Sequence, residues 1–186
     1  MKVKEYVKSE PQGDKILMII APKNFRDEEL FDPKRILEEA GYTVVVASKG
    51  VNSAISMFNK NTPVDIDMSK KSISVDDYEA VIFVGGTGAT QYFDYPTALK
   101  IAQDANASRK VRVLGAICIA PSILANAGVL NGKSATCWAS EEQNLIKHGA
   151  KYTAEHVTID GKIVTSNGPR AAEEFGKAIV KILGKK

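Results

Sequence analysis

The chain has 186 residues, of which 44% are hydrophobic and 25% are charged, and its formal net charge is +3. This composition is typical of one globular domain and excludes disorder over most of the chain. The small basic excess is not gathered into a long run, so we expect no nucleic-acid partner. No apolar stretch approaches the ~20 residues of a membrane-spanning helix, and the charged start lacks the apolar run of a secretion signal.

Two cysteines and two histidines limit the metal chemistry of the chain. They form neither a Cys-x-x-Cys nor a His-x-x-x-His pair, so no metal site is expected, and we predict no cofactor. Neither histidine is expected to be catalytic, since His148 ends a predicted helix and His156 lies in or near a predicted strand. We predict a cytoplasmic location, no membrane association and reduced thiols.

The first half of the chain alternates short apolar runs with helical periodicity. In chain order it predicts a strand over 15–21, a helix over 27–40 ended by Gly41, a strand over 43–48, an edge hairpin of 53–58 with 64–67 around Asn61-Thr62-Pro63, and a strand over 80–84. Strand, helix and strand within about 35 residues form a βαβ unit, whose strands pair in parallel.

The second half continues the alternation. It predicts a helix over 97–108, a strand over 111–117, a helix over 119–127, a short strand over 134–137, a helix over 141–147 capped by Ser140, a hairpin of 157–160 with 162–166, and a last helix from Pro169 to about Leu183. Asp160-Gly161 is a strong hairpin signal, and proline is favoured in the first turn of a helix.

The alternating pattern predicts an α/β fold, a three-layer αβα sandwich with a mostly parallel sheet. We predict an N-terminal extension over residues 1–14 and a single domain over residues 15–186. Ligands of such sheets bind where parallel strands end, at the carboxyl edge. The residues that follow Ala21, Val84 and Ile117 are therefore the candidates for a functional site.

Cys118 lies between a predicted buried strand and a predicted helix. A nucleophile on such a strand-to-helix turn is exposed at the sheet edge, and the positive end of the helix favours the thiolate over the thiol. The alternative is a buried and unreactive cysteine, which is the common fate of free thiols. Position along the chain leaves both interpretations open.

The other two strand ends also have two interpretations each. Residues 85–88, Gly-Gly-Thr-Gly, lack the spacing of a dinucleotide or phosphate loop, but consecutive glycines let backbone N–H groups converge on an anion. The same residues also suit a plain tight turn. The charged run Arg26-Asp-Glu-Glu29 is expected as a solvated first helical turn, unless one carboxylate points inward to meet the cysteine.

Four segments of the chain resemble the ThiJ/PfpI superfamily, which has the class I glutamine amidotransferase-like (flavodoxin-like) fold. The Ala116-Ile-Cys-Ile-Ala-Pro121 turn is the most specific of them. The segments are Asn24-Phe-Arg-Asp-Glu-Glu-Leu30, Val81-Ile-Phe-Val-Gly-Gly86, Ala116–Pro121 with Ile123-Leu-Ala-Asn-Ala-Gly-Val-Leu130, and Thr165-Ser-Asn-Gly-Pro169. They span the chain from about Lys15 to Leu183.

The resemblance implies a role for four residues. Cys118 matches the reactive cysteine of the superfamily, and Glu29 matches a glutamate that hydrogen-bonds the sulfur and is protonated when the sulfur is a thiolate. The backbone N–H groups of Gly86 and Ile119 match its oxyanion hole. Because three acids are adjacent, Glu28 or Asp27 remain alternatives to Glu29.

Three positions depart from the superfamily pattern. Ile119 stands where protease-like members have a histidine, and Thr90 stands where they have an acid that reaches a neighbouring subunit. Cys137 stands where glyoxalase- or deglycase-like members have a histidine. It is expected either as a second thiol near Cys118, able to form a disulfide with an oxidised Cys118, or as a small apolar residue. Trp138 beside it is expected to pack and to wall the pocket.

The resemblance implies an enzyme that acts through Cys118 on small reactive carbonyls, as glyoxalase III-like or deglycase-like members do. The alternative is a redox-sensing or stress-response, chaperone-like protein, in which an oxidant reacts with Cys118. A second alternative, an intracellular cysteine peptidase, is disfavoured by Ile119 and Thr90. We expect a homodimer, whereas a hexamer would favour the peptidase.

Overall fold

The computed structural model describes residues 14–184, so the predicted extension lies outside the described residues except for Asp14. The strands are β1 (Lys15–Ile19), β2 (Lys23–Phe25), β3 (Thr43–Ser48), β4 (Ser53–Ser56), β5 (Asn61–Pro63), β6 (Ile66–Asp67), β7 (Ala80–Phe83), β8 (Val113–Ile117), β9 (Ser134–Ala135), β10 (Lys151–Tyr152), β11 (Val157–Asp160) and β12 (Ile163–Ser166). The helices are α1 (Asp27–Glu39), α2 (Pro96–Ala107), α3 (Pro121–Asn126), α4 (Glu142–Lys147) and α5 (Ala172–Leu183).

Seven strands form the central sheet in the order β11-β12-β8-β7-β1-β3-β6. All neighbouring pairs are parallel except β11 with β12, which form an antiparallel hairpin at one edge. The strands β1, β7 and β8 lie side by side in the middle, so their carboxyl ends meet at one edge of the sheet. This arrangement confirms the predicted mostly parallel sheet.

Successive residues of the central strands enter two separate cores, one on each face of the sheet. Leu17 and Ile19 of β1 pack on the face covered by α2, α3 and α4, whereas Ile16 and Met18 pack on the face covered by α1 and α5. Because both faces are covered, β7 and β8 are apolar along their whole length rather than alternating. The predicted three-layer sandwich is confirmed.

The edge hairpin differs from the prediction. Residues 61–63, predicted as its turn, form β5 and pair antiparallel with β4, while Asn59, with φ of +61°, lies in the turn between these strands. Residues 66–67 instead join the central sheet beside β3. Pro63 is compatible with β5 because an edge strand need not use every backbone donor.

The sequence pattern also missed two short strands, β2 and β10, because their pairing partners are distant in the chain, and it misplaced the starts of two helices. The polar segment β2 pairs in parallel with β4, and β10 pairs with β9. Ser140 does not cap α4, whose N-cap residue is Glu141. Pro169 begins a single 3₁₀ turn that precedes α5, rather than the first turn of α5 itself.

Candidate functional site at the carboxyl edge of the sheet

Cys118 directly follows β8 and has a left-handed backbone conformation, with φ of +65°. Its N–H donates to the carbonyl of Ser166 at 2.9 Å, and its carbonyl accepts from the N–H of Trp138 at 2.8 Å. A non-glycine residue rarely adopts this conformation, and the two hydrogen bonds hold it there. Cys118 therefore lies on a strained turn between a strand and the helix α3.

Gly85, after β7, lies against both the Cys118 turn and the first turn of α1. A Cβ atom on Gly85 would contact the carboxyl of Glu29 and would lie 2.7 Å from both Cβ of Cys118 and the carbonyl oxygen of Ile117. Because only glycine fits, the thiol and carboxyl side chains can approach each other over this residue. The N–H of Arg26 donates to the Gly85 carbonyl at 3.1 Å, which fixes the start of α1 beside the turn.

Of the three adjacent acids, Glu29 is the one that lies beside the Cys118 thiol. Glu29 is fully buried, and its carboxyl lies near the Cys118 thiol and the Gly85 N–H. Within residues 14–184, however, neither of its oxygens has a hydrogen bond of good geometry. Glu28 instead accepts hydrogen bonds from Arg26, and Asp27 accepts from the N–H of Phe58 at 3.2 Å. Because successive residues of a helix point in different directions, each of the three acids has different surroundings.

The thiol and the carboxyl are coupled. Burial raises the pKa of Glu29 to about 7, although the neighbouring thiol, the Gly85 N–H and Arg26 each lower it. Burial and the Glu29 charge raise the pKa of the Cys118 thiol, and the N–H groups of Gly86 and Ile119 lower it. Two buried acids this close carry a single negative charge between them near neutral pH. A thiolate thus requires that Glu29 keep its proton.

A cavity of about 190 Å³ opens over the sulfur. It is lined by Arg26, Glu29, Met57, Gly86, Thr87, Cys118, Ile119, Trp138 and Pro169. The volume is below the ~300–1,000 Å³ typical of sites for drug-sized ligands, so it suits a molecule of a few carbon atoms. Of the described residues that line it, only Arg26, Glu29 and Cys118 are titratable.

Cys137 lies on the other face of the sheet. It is buried in the core that contains Leu145, whereas Cys118 belongs to the core beneath α1 and α5. Burial, together with the charges of Glu141 and Glu142, raises the pKa of Cys137 to about 12. The next residue, Trp138, turns back toward the cavity and lines it. The two thiols thus belong to different cores, and Cys137 does not line the cavity over Cys118.

The two histidines and Thr90 lie away from the sulfur. Neither histidine lines the cavity: Nδ1 of His148 lies 2.9 Å from the carbonyl oxygen of Asn144, and His156 is exposed beside Glu174. Thr90 is exposed, and its hydroxyl donates to the carbonyl of Thr87. Ile119 contributes its backbone N–H near the sulfur but no proton-transferring side chain.

Three residues that line the cavity, Arg26, Met57 and Pro169, were not predicted from the sequence as part of the site. Met57 comes from the turn after β4, and its N–H donates to the Phe25 carbonyl at 2.9 Å, a contact between distant segments. Arg26 directly precedes the three adjacent acids in the sequence, and this position could have indicated that it lies at the same strand end. Within residues 14–184 no helix is long and apolar enough to cross a membrane, and no group of three or more metal-binding side chains occurs.

These features define a flavodoxin-like α/β protein with a cysteine on a strained turn at the carboxyl edge of its sheet. The profile of the DJ-1/PfpI family matches residues 14–182, and the chain belongs to this family. An uncharacterized protein of Methanocaldococcus jannaschii is 37% identical over 173 residues, covering 92% of this chain and 83% of the relative. The protein of Pyrococcus furiosus named deglycase PfpI is 27% identical over 169 residues, covering 90% and 98%.

The structure of a ThiJ/PfpI domain protein from Brachyspira murdochii superposes with a TM-score of 0.87. The two sequences are 31% identical, and the match covers 92% of this chain and 97% of that one. A DJ-1beta structure from Drosophila melanogaster gives a TM-score of 0.80 at 26% identity, with coverage of 93% and 92%. The fold is therefore shared over nearly the whole length of each protein.

Proposed function

We propose that this protein acts through the Cys118 thiolate on small reactive carbonyl compounds, as a glyoxalase III-like or deglycase-like enzyme. The observation that carries the proposal is the strained Cys118 in a small cavity, with the Glu29 carboxyl and two backbone N–H groups beside the sulfur. The names of two Pyrococcus relatives, both called deglycases, support the same chemistry.

The first step is addition to the carbonyl. The Cys118 thiolate attacks the carbonyl carbon, a C–S bond forms, and the electron pair of the C=O π bond moves to the oxygen. The N–H groups of Gly86 and Ile119 stabilise the developing oxyanion, and the protonated Glu29 supplies the proton that completes a hemithioacetal. Glu29 is then a carboxylate.

The second step uses that carboxylate as a base. With an α-dicarbonyl substrate, Glu29 removes the hydrogen from the carbon bonded to sulfur, and the electron pair moves toward the neighbouring carbonyl to give an enediolate. Glu29 returns this proton to the second carbon, and the hydroxyl proton on the first carbon's oxygen moves to the second oxygen, which gives a thioester; water cleaves it to release a hydroxy acid and the thiol. The net change is dicarbonyl plus water to hydroxy acid. Among residues 14–184, Glu29 is the only carboxyl group in the cavity lining, so both proton transfers at carbon fall to it.

Turnover of methylglyoxal tests the proposal. We expect wild-type protein to convert methylglyoxal to lactate and Cys118→Ser to lose at least about 100-fold in kcat/KM, because the hydroxyl is a far weaker nucleophile. Cys137→Ser is the matched control, since this thiol lies on the other face of the sheet, and it should keep wild-type turnover. Lactate formation by Cys118→Ser, or none by the wild type, would refute the proposal.

Redox sensing is the second candidate, because the same N–H groups would also hydrogen-bond the oxygens of an oxidised Cys118. In that reaction a peroxide gives one oxygen to the thiolate and leaves as water. Oxidation of Cys118 by peroxide, seen by mass spectrometry in protein that does not consume methylglyoxal, would favour it. A disulfide with Cys137 is less well supported, because the two thiols pack in different cores.

A peptidase is disfavoured, because within residues 14–184 no histidine lines the cavity to pair with Cys118. The homodimer and the cytoplasmic location stay predictions.

A further inference from the structure

In the part of the chain that the structure describes, Arg26 is the only cation among the residues that line the Cys118 cavity. Its Nε and Nη2 donate to the two carboxyl oxygens of Glu28, at 2.7 and 3.1 Å, and its guanidinium lies 4.9 Å from the centroid of the Phe58 ring. Among residues 14–184 Nη1 has no hydrogen-bond partner. The proposed chemistry at Cys118 makes no use of this guanidinium.

We propose that Arg26 selects carbonyl compounds that carry a carboxylate close to the reacting carbon. This inference rests on the proposed function, whose substrate class it narrows. The carbonyl carbon would lie at the sulfur of Cys118, and the carboxylate would accept hydrogen bonds from the free N–H groups of Arg26. The cavity of about 190 Å³ limits such substrates to a few carbon atoms.

The guanidinium is held in place for this role. Glu28 occupies one edge of the planar group and Phe58 one face, and the Arg26 backbone is bonded to Gly85 beside the sulfur. A guanidinium has five N–H donors, and Glu28 takes only two of them. The remaining donors stay available for a carboxylate, with which arginine forms directional, charge-assisted hydrogen bonds.

The carboxylates near the cavity leave one of its walls positively charged, at the Arg26 guanidinium. Asp27 and Glu28 are not among the lining residues; the former binds the N–H of Phe58 and the latter faces Arg26. Glu29 and Cys118 together carry one negative charge at the sulfur side. The cavity is therefore polarised, with its cation on one wall and its anion on another, which matches an acid that also carries an electrophilic carbon.

Two alkylating agents of similar size and different charge test the inference without any turnover. Iodoacetate carries a carboxylate next to its reactive carbon, whereas iodoacetamide is neutral. The rate ratio of iodoacetate to iodoacetamide is measured at Cys118 in a Cys137→Ser background and compared with that of a small free thiol at the same pH and salt. We expect a ratio about tenfold higher in the protein, the size of one charge-assisted hydrogen bond.

Arg26→Met should return the ratio to that of the small thiol. Lys60→Met is the matched control, because Lys60 is a nearby cation over the Phe31 ring that does not line the cavity, and it should leave the ratio unchanged. If Arg26 only stabilised the fold or the position of Glu29, Arg26→Met would lower the alkylation rates of both reagents by the same factor. That result, or a wild-type ratio no higher than that of the small thiol, overturns the inference.

The alkylation ratio also separates this inference from the proposed function. Protein that leaves methylglyoxal unchanged but still prefers iodoacetate through Arg26 would refute the enzyme proposal and keep the anion selectivity. Protein that converts methylglyoxal at equal rates with and without Arg26, and shows no preference for iodoacetate, would refute only the selectivity.

Discussion

At the sulfur of Cys118, burial opposes any charge, and the local groups decide where the one available negative charge lies. The N–H groups of Gly86 and Ile119 favour the thiolate, whereas an ionised Glu29 disfavours it. A protonated Glu29 beside a thiolate satisfies both conditions, because the carboxyl group is then neutral and can donate a hydrogen bond. The charge on the Cys118 sulfur therefore depends on Glu29 as much as on the backbone N–H groups around it.

Replacement of Glu29 tests this coupling. In a Cys137→Ser background, alkylation of Cys118 by iodoacetamide should rise with a midpoint below the ordinary thiol value, because the N–H groups of Gly86 and Ile119 place the single negative charge of the pair on the sulfur while Glu29 keeps its proton. Glu29→Gln removes the carboxyl group of this pair, so the midpoint should move above the ordinary thiol value of 9.0, because burial alone raises the thiol pKa. Stopped-flow alkylation between pH 5 and pH 11 measures the profile.

Glu28→Gln is the control for the same experiment. It changes the adjacent acid, which binds Arg26 outside the cavity, and should leave the midpoint within a few tenths of a pH unit of the wild type. A Glu29→Gln profile identical to the wild type would show that Glu29 does not control the thiol.

Among the secondary-structure elements, α1 is the one whose position sets the site, because it carries Glu29 in its first turn. Pro33 has no N–H to donate to the Glu29 carbonyl four residues earlier, so that turn depends on tertiary contacts. One such contact is with α5, where a Cβ on Gly176 would lie 3.0 Å from Cα of Pro33. The close approach of the two helices therefore favours a residue without a side chain at position 176.

Gly176→Leu should separate α1 from α5. We expect a loss of about 1–3 kcal/mol in the free energy of unfolding, because the leucine side chain would overpack against Pro33 and Ile36. Helix propensity cannot cause this loss, since leucine is a better helix former than glycine. Urea denaturation measures the loss, and alkylation of Cys118 should change because Glu29 moves with α1. Lys177→Leu, at the exposed neighbouring position, should cost less than about 0.5 kcal/mol. Equal stability of the two variants would contradict the packing argument.

For the molecule as a whole, a buried acid links the site to stability. The pKa of Glu29 is raised from 4.5 to about 7 by folding, so between these values the folded state keeps a proton that the unfolded state has lost. The contribution of Glu29 to stability is therefore full below pH 4.5 and is lost as the pH rises toward 7. At neutral pH, burial of Glu29 in the site therefore lowers the free energy of unfolding.

Glu29→Gln should remove this cost. Relative to the wild type, the variant should gain free energy of unfolding as the pH rises from 4.5 to 7, by at most about 3 kcal/mol. Urea denaturation of both proteins at several pH values measures the difference, in which titrations common to both cancel. A difference that stays constant with pH would mean that Glu29 titrates alike in the folded and unfolded states.

The sequence by itself determined the order of helices and strands, the parallel sheet and the strand end at which Cys118 lies. These follow from local periodicity and from the rule that ligands bind at carboxyl edges of parallel sheets. It missed β2 and placed β6 in the wrong sheet, because these strands of two or three residues are fixed by partners farther along the chain, and it assigned the residues of β5 to a turn.

Only the tertiary structure decided which acid meets the sulfur, which face holds Cys137, and that Arg26 and Met57 line the cavity. Adjacent acids on a helix differ by a rotation of about 100° each, and the sequence holds no local signal for which of them faces inward. That rotation is fixed by packing of α1 against β3 and α5, contacts that join residues far apart in the chain.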